Sequence, residues 1–482
     1  MRLQELVEAE PRARVVGNPA AEIADLAYDS RRAGPGTLFF CVVGGSVDGH
    51  EFAAQVVAGG AAGLVVERQL EVTVPQVVVP DSRAAMAPLA ARFEGDPSAT
   101  LRTVGVTGTN GKTTTAFLVA EVLAAAGIQS GLLGTVKQVV GGIEEAVERT
   151  TPEAIDLQAT LRRMLDGGDR ACAMEVSSHA LALHRADAIH FDAAVFTNLT
   201  QDHLDFHADM EDYFLAKRRL FEAGPGTAIV NVDDPYGRRL AAEFECVTFS
   251  ARGAAADYAA EDVSYDAAGA RFRVGELAVR TALPGDFNVA NALGALAAAV
   301  ALGVEPAAAA AGLAGAARVP GRFEPIDEGQ DFAVLVDYAH TPDSLENVLR
   351  AARRVTGGRL VVVFGAGGDR DRDKRPKMGR AGGELADLAI VTSDNPRSED
   401  PAAIVAEVAA GVEGAAELEV EVDRRAAIAM ALSQAGEGDT VVIAGKGHEQ
   451  GQEFEGGRKV PFDDREVARE LLRGNTSTAV RA

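Results

Sequence analysis

The chain reads as an α/β protein of three domains. A small N-terminal α/β domain precedes a central P-loop nucleotide domain built on a parallel sheet, and a C-terminal Rossmann-like domain follows. Three observations predict this. At 482 residues the chain exceeds what one hydrophobic core serves. Short apolar, β-branched runs recur along it, each leading into a polar loop and then a stretch of helical spacing, which is the alternation of a parallel sheet. One of these units carries the glycine-rich turn TGTNGKTTT, Thr107 to Thr115, between the run TVGV and a helical stretch that stops at Gly127. The linker GDPSAT and the entry segment RVPGRFE place the domains at 1–99, 100–318 and 319–482.

In the first segment, TLFFCVVGG, GLVVE and QVVVP read as short strands, and SRAAMAPLAARF as a helix. YDSRRAGPG sets a Ser-Arg pair ahead of a Gly-Pro-Gly turn, which by itself is a turn with a capping serine, Ser30. GDPSAT reads as a linker into the second segment.

The second segment opens on the glycine turn. Strand, turn and helix in that order aim backbone N–H groups and a helix N-terminus at one point, a geometry that holds a polyphosphate. Lys112 would reach the terminal phosphates and the Thr113 hydroxyl would take a magnesium ion. Val106 stands where a strict P-loop has its first glycine, so Gly108 carries the turn and the loop is a variant. ACAMEV, AAVFT and TAIVN repeat the pattern of a strand ending in polar residues. Residues just past parallel strand ends line a ligand crevice, so Glu175 and His203 are expected to flank the phosphate loop. A carboxylate and an imidazole there can hold Mg²⁺ directly or through water. YFLAKRRLF is an amphipathic helical stretch whose Lys217, Arg218 and Arg219 read, on composition, as a solvated basic face. LPGDFNVANALGALAAAVALG is a turn and a long helix ending at Gly303, with Asn291 near its start in a capping position.

The third segment enters through RVPGRFE and holds four strand-then-loop units. AVLVD precedes YAHTPDSLENV, LVVVF precedes GAGGDRDRDKRPKMG, LAIVTS precedes DNPRSEDP, and TVVIA precedes GKGHEQ. Four loops on one edge of a parallel sheet make one site. GAGG is not a dinucleotide fingerprint, because Arg370 stands where the third glycine of GxGxxG belongs. Basic residues from Arg370 to Arg380 alternate with Asp369, Asp371 and Asp373. Such a mixture suits a small zwitterion, with arginines forking onto carboxylates and acids meeting ammonium groups. The tail RGNTSTAVRA reads as disordered.

Whole-chain properties bound the function. Acidic residues number 71 against 47 basic, a formal charge of −24, which argues against wrapping nucleic acid. No apolar run approaches the roughly 20 residues of a membrane span, and MRLQELVEAEPRAR lacks a signal-peptide core. Cys41, Cys172 and Cys246 are too scattered for a disulfide framework or a metal knuckle. A cytoplasmic monomer is expected, with no nucleic-acid partner and no membrane insertion.

GTNGKTT, YDSRR, MEVSSHAL, TNLTQDHLDFH, RVPGRFE and DNPR together resemble the motifs of the Mur ligases, ATP-dependent amide-forming enzymes of peptidoglycan assembly. The resemblance covers nearly the whole chain and is to the branch that makes the muramoyl tripeptide. It implies that Gly108, Thr109, Asn110, Gly111, Lys112, Thr113 and Thr114 bind ATP, with Asn291 on the adenine and Arg322 and Asp337 completing the site. It implies that Ser30 contacts the UDP-sugar near the turn Gly45 to Val47, and that Thr150, Thr151, Ser177 and Arg185 hold the UDP-muramoyl-dipeptide. Arg370, Asp394, Asn395, Pro396, Arg397, Gly445 and Glu449 match positions that bind meso-diaminopimelate. Lys112, Glu175, His203 and Lys217 match catalytic positions, with Mg²⁺ on Thr113, Glu175, His203 and Lys217. Lys217 would act as a carbamate, N6-carboxylysine, formed when a lysine amine reacts with CO₂. One departure is Leu183, where the family often has glutamine. A lysine-adding ligase of the same fold is expected to lack the DNPR arginine. A folylpolyglutamate synthase would share the nucleotide domain but neither YDSRR nor DNPR.

Overall fold

The computed structural model describes residues 1–45, 47–147, 149–266 and 268–479. The chain divides into two compact units. One comprises Met1–Thr107, Gly127–Val195 and Leu215–Ala228; the other comprises Gly108–Ala126, Phe196–Phe214 and Ile229–Ala482.

The first unit contains two sheets. Its N-terminal sheet runs Arg14–Val16, Gln76–Val78, Gly63–Val66, Thr37–Phe40, Asp25–Ala27, parallel except at the first pair. Continuous apolar runs fit strands covered on both faces: Leu38, Phe40 and Val65 pack with Met86 and Leu89, while Phe39, Leu64 and Val66 face the opposite core. Met86 and Leu89 come from the helix Ser82–Phe93, which starts where the Asp81 carboxylate accepts from the amides of Arg83 and Ala84. The second sheet sets Ala171–Glu175 between Arg102–Thr107 and Ser130–Leu133, all parallel, and two short antiparallel strands extend it. Glu175 pairs across from Val106, so its carboxylate stands at the carboxyl edge of the sheet.

In the second unit the helix Lys112–Ala125 packs on Asp286–Ala301 and Pro306–Gly315. These alanine-rich helices approach closely, and a Cβ on Gly312 would stand 3.0 Å from the Val122 backbone. Three antiparallel strands, Glu261–Asp266, Gly269–Val274 and Leu277–Thr281, form a small sheet of their own. The largest sheet of this unit orders Glu324–Pro325, Ala333–Asp337, Thr440–Ala444, Leu360–Phe364, Leu388–Val391 and Glu417–Val420, parallel after the first strand. Alternation splits its residues between two cores: Val362, Phe364 and Val442 on one face, Val361, Val363 and Ile443 on the other. The four loops of the third segment therefore leave one edge.

A buried ion pair fastens that edge. Arg424 and Asp464 are both fully buried. The guanidinium donates to Asp464 at 2.7 and 2.8 Å and to the carbonyls of Ala444 at 2.9 Å and Ser393 at 3.4 Å. Those carbonyls sit where the strands leading to GKG and DNPR end. Removing one partner of such a pair strands a buried charge, so Asp464→Ala is expected to lose about 3–5 kcal/mol of unfolding free energy, read by urea denaturation. A loss below 1 kcal/mol would contradict this. Asp464 begins the helix Asp464–Ala479, which continues through most of the tail expected to be disordered; residues 480–482 lie outside the described residues. Among the described residues no helix is long and apolar enough to cross a membrane.

Candidate active site

The glycine turn is built as its spacing requires. Gly108 (φ 152°) and Gly111 (φ 86°) both take positive φ, and a side chain on either would collide with its surroundings. A Cβ on Gly108 would stand 1.9 Å from Thr197 Oγ1, and one on Gly111 2.3 Å from Asn291 Oδ1. The loop is pinned by the strand-end residues beside it. Thr109 N donates to the Asn198 carbonyl at 2.8 Å, Asn110 N to Asn198 Oδ1 at 2.9 Å, and Thr197 Oγ1 to the Asn110 carbonyl at 2.6 Å. Lys112 Nζ donates to the carbonyls of Gly108 and Thr109 at 2.9 and 2.8 Å, which holds the ammonium over the loop. Thr113 and Thr114 lie in the first turn of the helix and are buried.

Two residues from the third segment meet this loop. Arg322 Nη2 donates to Thr113 Oγ1 at 2.9 Å, its guanidinium lies 4.5 Å above the Tyr338 ring, and its buried Nε has no partner among the described residues. Asp343, which the sequence did not single out, accepts from Asn110 Nδ2 at 2.8 Å. A half-buried, partly unpaired guanidinium beside a helix N-terminus and a lysine fits a polyphosphate. Asn291 supports the loop from below: it is buried, its Nδ2 donates to Asn288 Oδ1 at 3.1 Å, and its Oδ1 accepts from Thr115 at 3.4 Å. Asp337 is buried and accepts from Phe323 N at 2.6 Å. Burial pushes its carboxyl up to about 6, against the pull of Arg322.

Six of the seven residues matched to the amino-acid site line one open cleft: Arg370, Asp394, Asn395, Arg397, Gly445 and Glu449. The seventh, Pro396, stiffens the turn between Asn395 and Arg397. Arg397 Nε donates to Glu453 at 3.1 Å and Nη1 to the Gly368 carbonyl at 2.7 Å. Glu399 is taken by the fully buried Arg375 at 2.7 Å. Asp202, His203, Asp205, Tyr338, His340 and Lys374 complete the lining. Burial alone would raise the Asp202 carboxyl, but His203, His340 and Lys374 pull it well below the carboxylate range. Asp394 behaves likewise, burial being outweighed by Lys446 and Arg424. Lys446, fully buried, donates to Asn395 Oδ1 at 2.8 Å and Glu449 Oε2 at 2.9 Å. The expected mixed-charge loop thus splits: Arg370 and Lys374 face the cleft, while Arg375 is an interior clamp.

The first unit gathers most of the residues matched to the muramoyl-dipeptide. Glu175 is buried and accepts from Thr135 N at 2.6 Å and Oγ1 at 3.1 Å; Thr135 Oγ1 meets Thr150 Oγ1 at 3.0 Å. Thr151 Oγ1 donates to the Glu175 carbonyl at 2.9 Å and accepts from Ser177 N at 3.3 Å. Ser177 Oγ caps the helix Ser178–Ala182. Arg185 donates to the Thr151 carbonyl at 3.3 Å and pairs with Glu153 at 2.8 Å, leaving a buried Nε with no partner among the described residues. Burial holds its guanidinium below the ordinary arginine range, with Glu153 opposing. Leu183 follows directly as the C-cap. Ser30 sits partly exposed in the turn after Asp25–Ala27, and Ser46, in the turn expected near it, lies outside the described residues.

Lys217 departs from the composition-based expectation of a solvated face. It lies in the helix Met210–Glu222 and is only 1% exposed. Tyr213, Lys217, Leu220 and Phe221 fall on one helical stripe and all four are buried. That spacing was readable. Among the described residues no group of three or more His, Cys, Asp or Glu side chains could hold a metal ion.

Family models match three segments: the Mur ligase family catalytic domain over residues 22–94, the Mur ligase middle domain over 106–299, and the Mur ligase glutamate ligase domain over 321–447. The UDP-N-acetylmuramoyl-L-alanyl-D-glutamate–2,6-diaminopimelate ligase of Geobacillus thermodenitrificans (strain NG80-2) is 48% identical over 98% of this chain and 99% of its own length. The ligase of the same name from Gloeobacter violaceus is 49% identical over 98% of each. A solved structure of a UDP-N-acetylmuramoyl-L-alanyl-D-glutamate–2,6-diaminopimelate ligase superposes with a TM-score of 0.70 at 33% identity, covering 99% of this chain and all of that one. A Mycobacterium tuberculosis folylpolyglutamate synthase, complexed with ADP and AMPPCP, shares the fold over 75% of this chain and 92% of its own, with a TM-score of 0.62 at 18% identity. With near-full-length identity of this order and three family models in register, the chain belongs to the Mur ligase family of amide-forming ligases.

Proposed function

We propose that the chain is the ATP-dependent ligase of peptidoglycan synthesis that joins meso-diaminopimelate to UDP-N-acetylmuramoyl-L-alanyl-D-glutamate. The observation that carries the reading is the cleft, where Arg370 and Arg397 stand with Asp394 and Glu449. A diamine with two carboxylates needs that pairing of forks and acids. The acceptor is the γ-carboxylate of D-glutamate, inert to amines until one oxygen becomes a leaving group, and ATP supplies the phosphoryl group that makes it one. The loop from Gly108 to Thr114, with Arg322, Asn291 and Asp337, is the proposed nucleotide site. Thr150, Thr151, Ser177 and Arg185 hold the muramoyl-dipeptide and Ser30 its nucleotide-sugar end. Domains at 1–99, 100–318 and 319–482 are supported by the three matched segments, one of which falls in each. We place the enzyme in the cytoplasm as a monomer.

Magnesium would be held by Thr113, Glu175, His203 and a carbamate on Lys217, offsetting repulsion between the two anions. The burial of Lys217 supports this, because an interior ammonium is costly whereas a carbamate can pair with a cation. Lys217→Ala is expected to lose ligation and to regain part of it with added short-chain carboxylates, which replace the lost oxygens. Full activity of that variant in CO₂-depleted buffer would rule the carbamate out.

The function is tested by offering diaminopimelate and lysine in parallel, with ATP and the muramoyl-dipeptide, and measuring product and ADP. Ligation of diaminopimelate with little of lysine is expected. Preference for lysine would assign the lysine-adding activity instead, and glutamylation of a folate would assign the folylpolyglutamate one.

A further inference from the structure

An amino acid reaches the cleft as an ammonium ion, whose nitrogen has no free lone pair. Some group must take a proton before the nitrogen can attack. His340 lies in the cleft lining, in the loop between the strand Ala333–Asp337 and the helix Pro342–Val355. Its Nδ1 lies 2.7 Å from the Tyr338 carbonyl, an acceptor, so Nδ1 carries the hydrogen and Nε2 keeps the lone pair. A third of the side chain is exposed, and Nε2 stands 4.0 Å from Asp202 Oδ2.

We propose that His340 is the general base of amide formation, accepting at Nε2 the proton that the amino-acid ammonium loses as it attacks the acyl phosphate. This inference rests on the function proposed above. The ammonium gives one proton to Nε2, and its freed electron pair forms the C–N bond at the acyl carbon. The acyl C–O bond to phosphate then breaks, and phosphate leaves with that electron pair. The nitrogen sheds a second proton to the departing phosphate, and the imidazolium returns its own to solvent. Overall, acyl phosphate and ammonium become amide, hydrogen phosphate and one proton.

The surroundings suit the cycle. Burial holds the ring below its ordinary range and the Lys374 ammonium adds to this, while Asp202 and Asp394 oppose. The resting ring is therefore neutral at pH 7, as a base must be. The Asp202 carboxylate stabilises the imidazolium once formed. It is shared with His203, whose Nε2 lies 3.4 Å away, and the Tyr338 ring packs 4.5 Å from the His340 ring.

The test uses the full-length enzyme and His340→Asn, whose side-chain amide can keep the bond to the Tyr338 carbonyl while lacking a basic nitrogen. His340→Gln serves as a second variant. Each is assayed with diaminopimelate, and with hydroxylamine, a nucleophile largely unprotonated at neutral pH that traps the acyl phosphate as hydroxamate. The variants are expected to lose about 10²–10⁴ in kcat with diaminopimelate and to form hydroxamate at the wild-type rate. Wild-type kcat should fall on acidification with a midpoint below the ordinary imidazole range; in the variants that limb should vanish and the rate should keep rising with pH. Equal losses with both nucleophiles, or a diaminopimelate rate within twofold of wild type, would overturn the proposal. If wild type forms hydroxamate but no diaminopimelate product, the proposed function itself fails, independently of His340.

Discussion

Arg397→Ala is expected to lower kcat/KM for diaminopimelate by roughly 10³–10⁴ while leaving the much slower reaction with lysine nearly unchanged. The two amino acids share one α-amino acid end and differ by a carboxylate at the other. Arg397 lines the cleft, and its Nε and Nη1 are spent on Glu453 and the Gly368 carbonyl, which leaves Nη2 to neither. Those two bonds fix the plane of the fork, so the guanidinium meets a carboxylate already oriented. Lysine in the same cleft brings no carboxylate to the rest of the fork and is rejected for that reason as well as bound less well. Steady-state kinetics with both substrates decide the matter. Equal losses on both would make Arg397 a structural clamp of the turn, a role its bonds to Glu453 and Gly368 could also serve.

Lys112→Ala is expected to remain folded and lose about 10²–10³ in kcat. Its ammonium sits on the carbonyls of Gly108 and Thr109, at the mouth of a loop whose glycines leave no room for side chains. Charge that builds on a transferring phosphoryl group there would meet that ammonium in a position set beforehand. Alanine at the first position of the helix Lys112–Ala125 is a strong helix former, so circular dichroism should be unchanged. Near-normal turnover would show that the phosphate is stabilised by other groups, Arg322 first among them.

How much could be read beforehand follows from what short-range pattern encodes. The runs TVGV, AVLVD, LVVVF, LAIVTS and TVVIA became parallel strands because continuous apolar runs bounded by polar loops have few other solutions. The residues that follow them became sites because parallel strands all end on one edge. The small sheet of Glu261–Asp266, Gly269–Val274 and Leu277–Thr281 leaves little trace in the sequence, since its half-exposed strands carry many charges and little apolar signal. His340, Asp343 and Lys446 carry no sequence signal for a different reason. Each is one polar residue in a polar loop, and only long-range packing makes it buried or aims it at the cleft. Lys217 is named through the resemblance alone, although its place on the stripe with Tyr213, Leu220 and Phe221 already points inward and its burial is encoded there. Arg424 and Asp464 are forty residues apart in sequence, and no local periodicity links them.

That last pair has a bearing on the order in which the protein comes into being. Synthesis delivers the chain from its N-terminus, and folding begins on what has emerged. The glycine turn and its helix precede Asp464 by hundreds of residues, and until Asp464 emerges Arg424 lacks the buried carboxylate that takes its Nε and Nη2. The tie between Asp464 and the guanidinium that holds the Ala444 and Ser393 carbonyls is thus completed only when that helix emerges. A chain released early, or clipped ahead of its final helix by a protease, would keep the phosphate-loop residues and lack the tie that holds the cleft together.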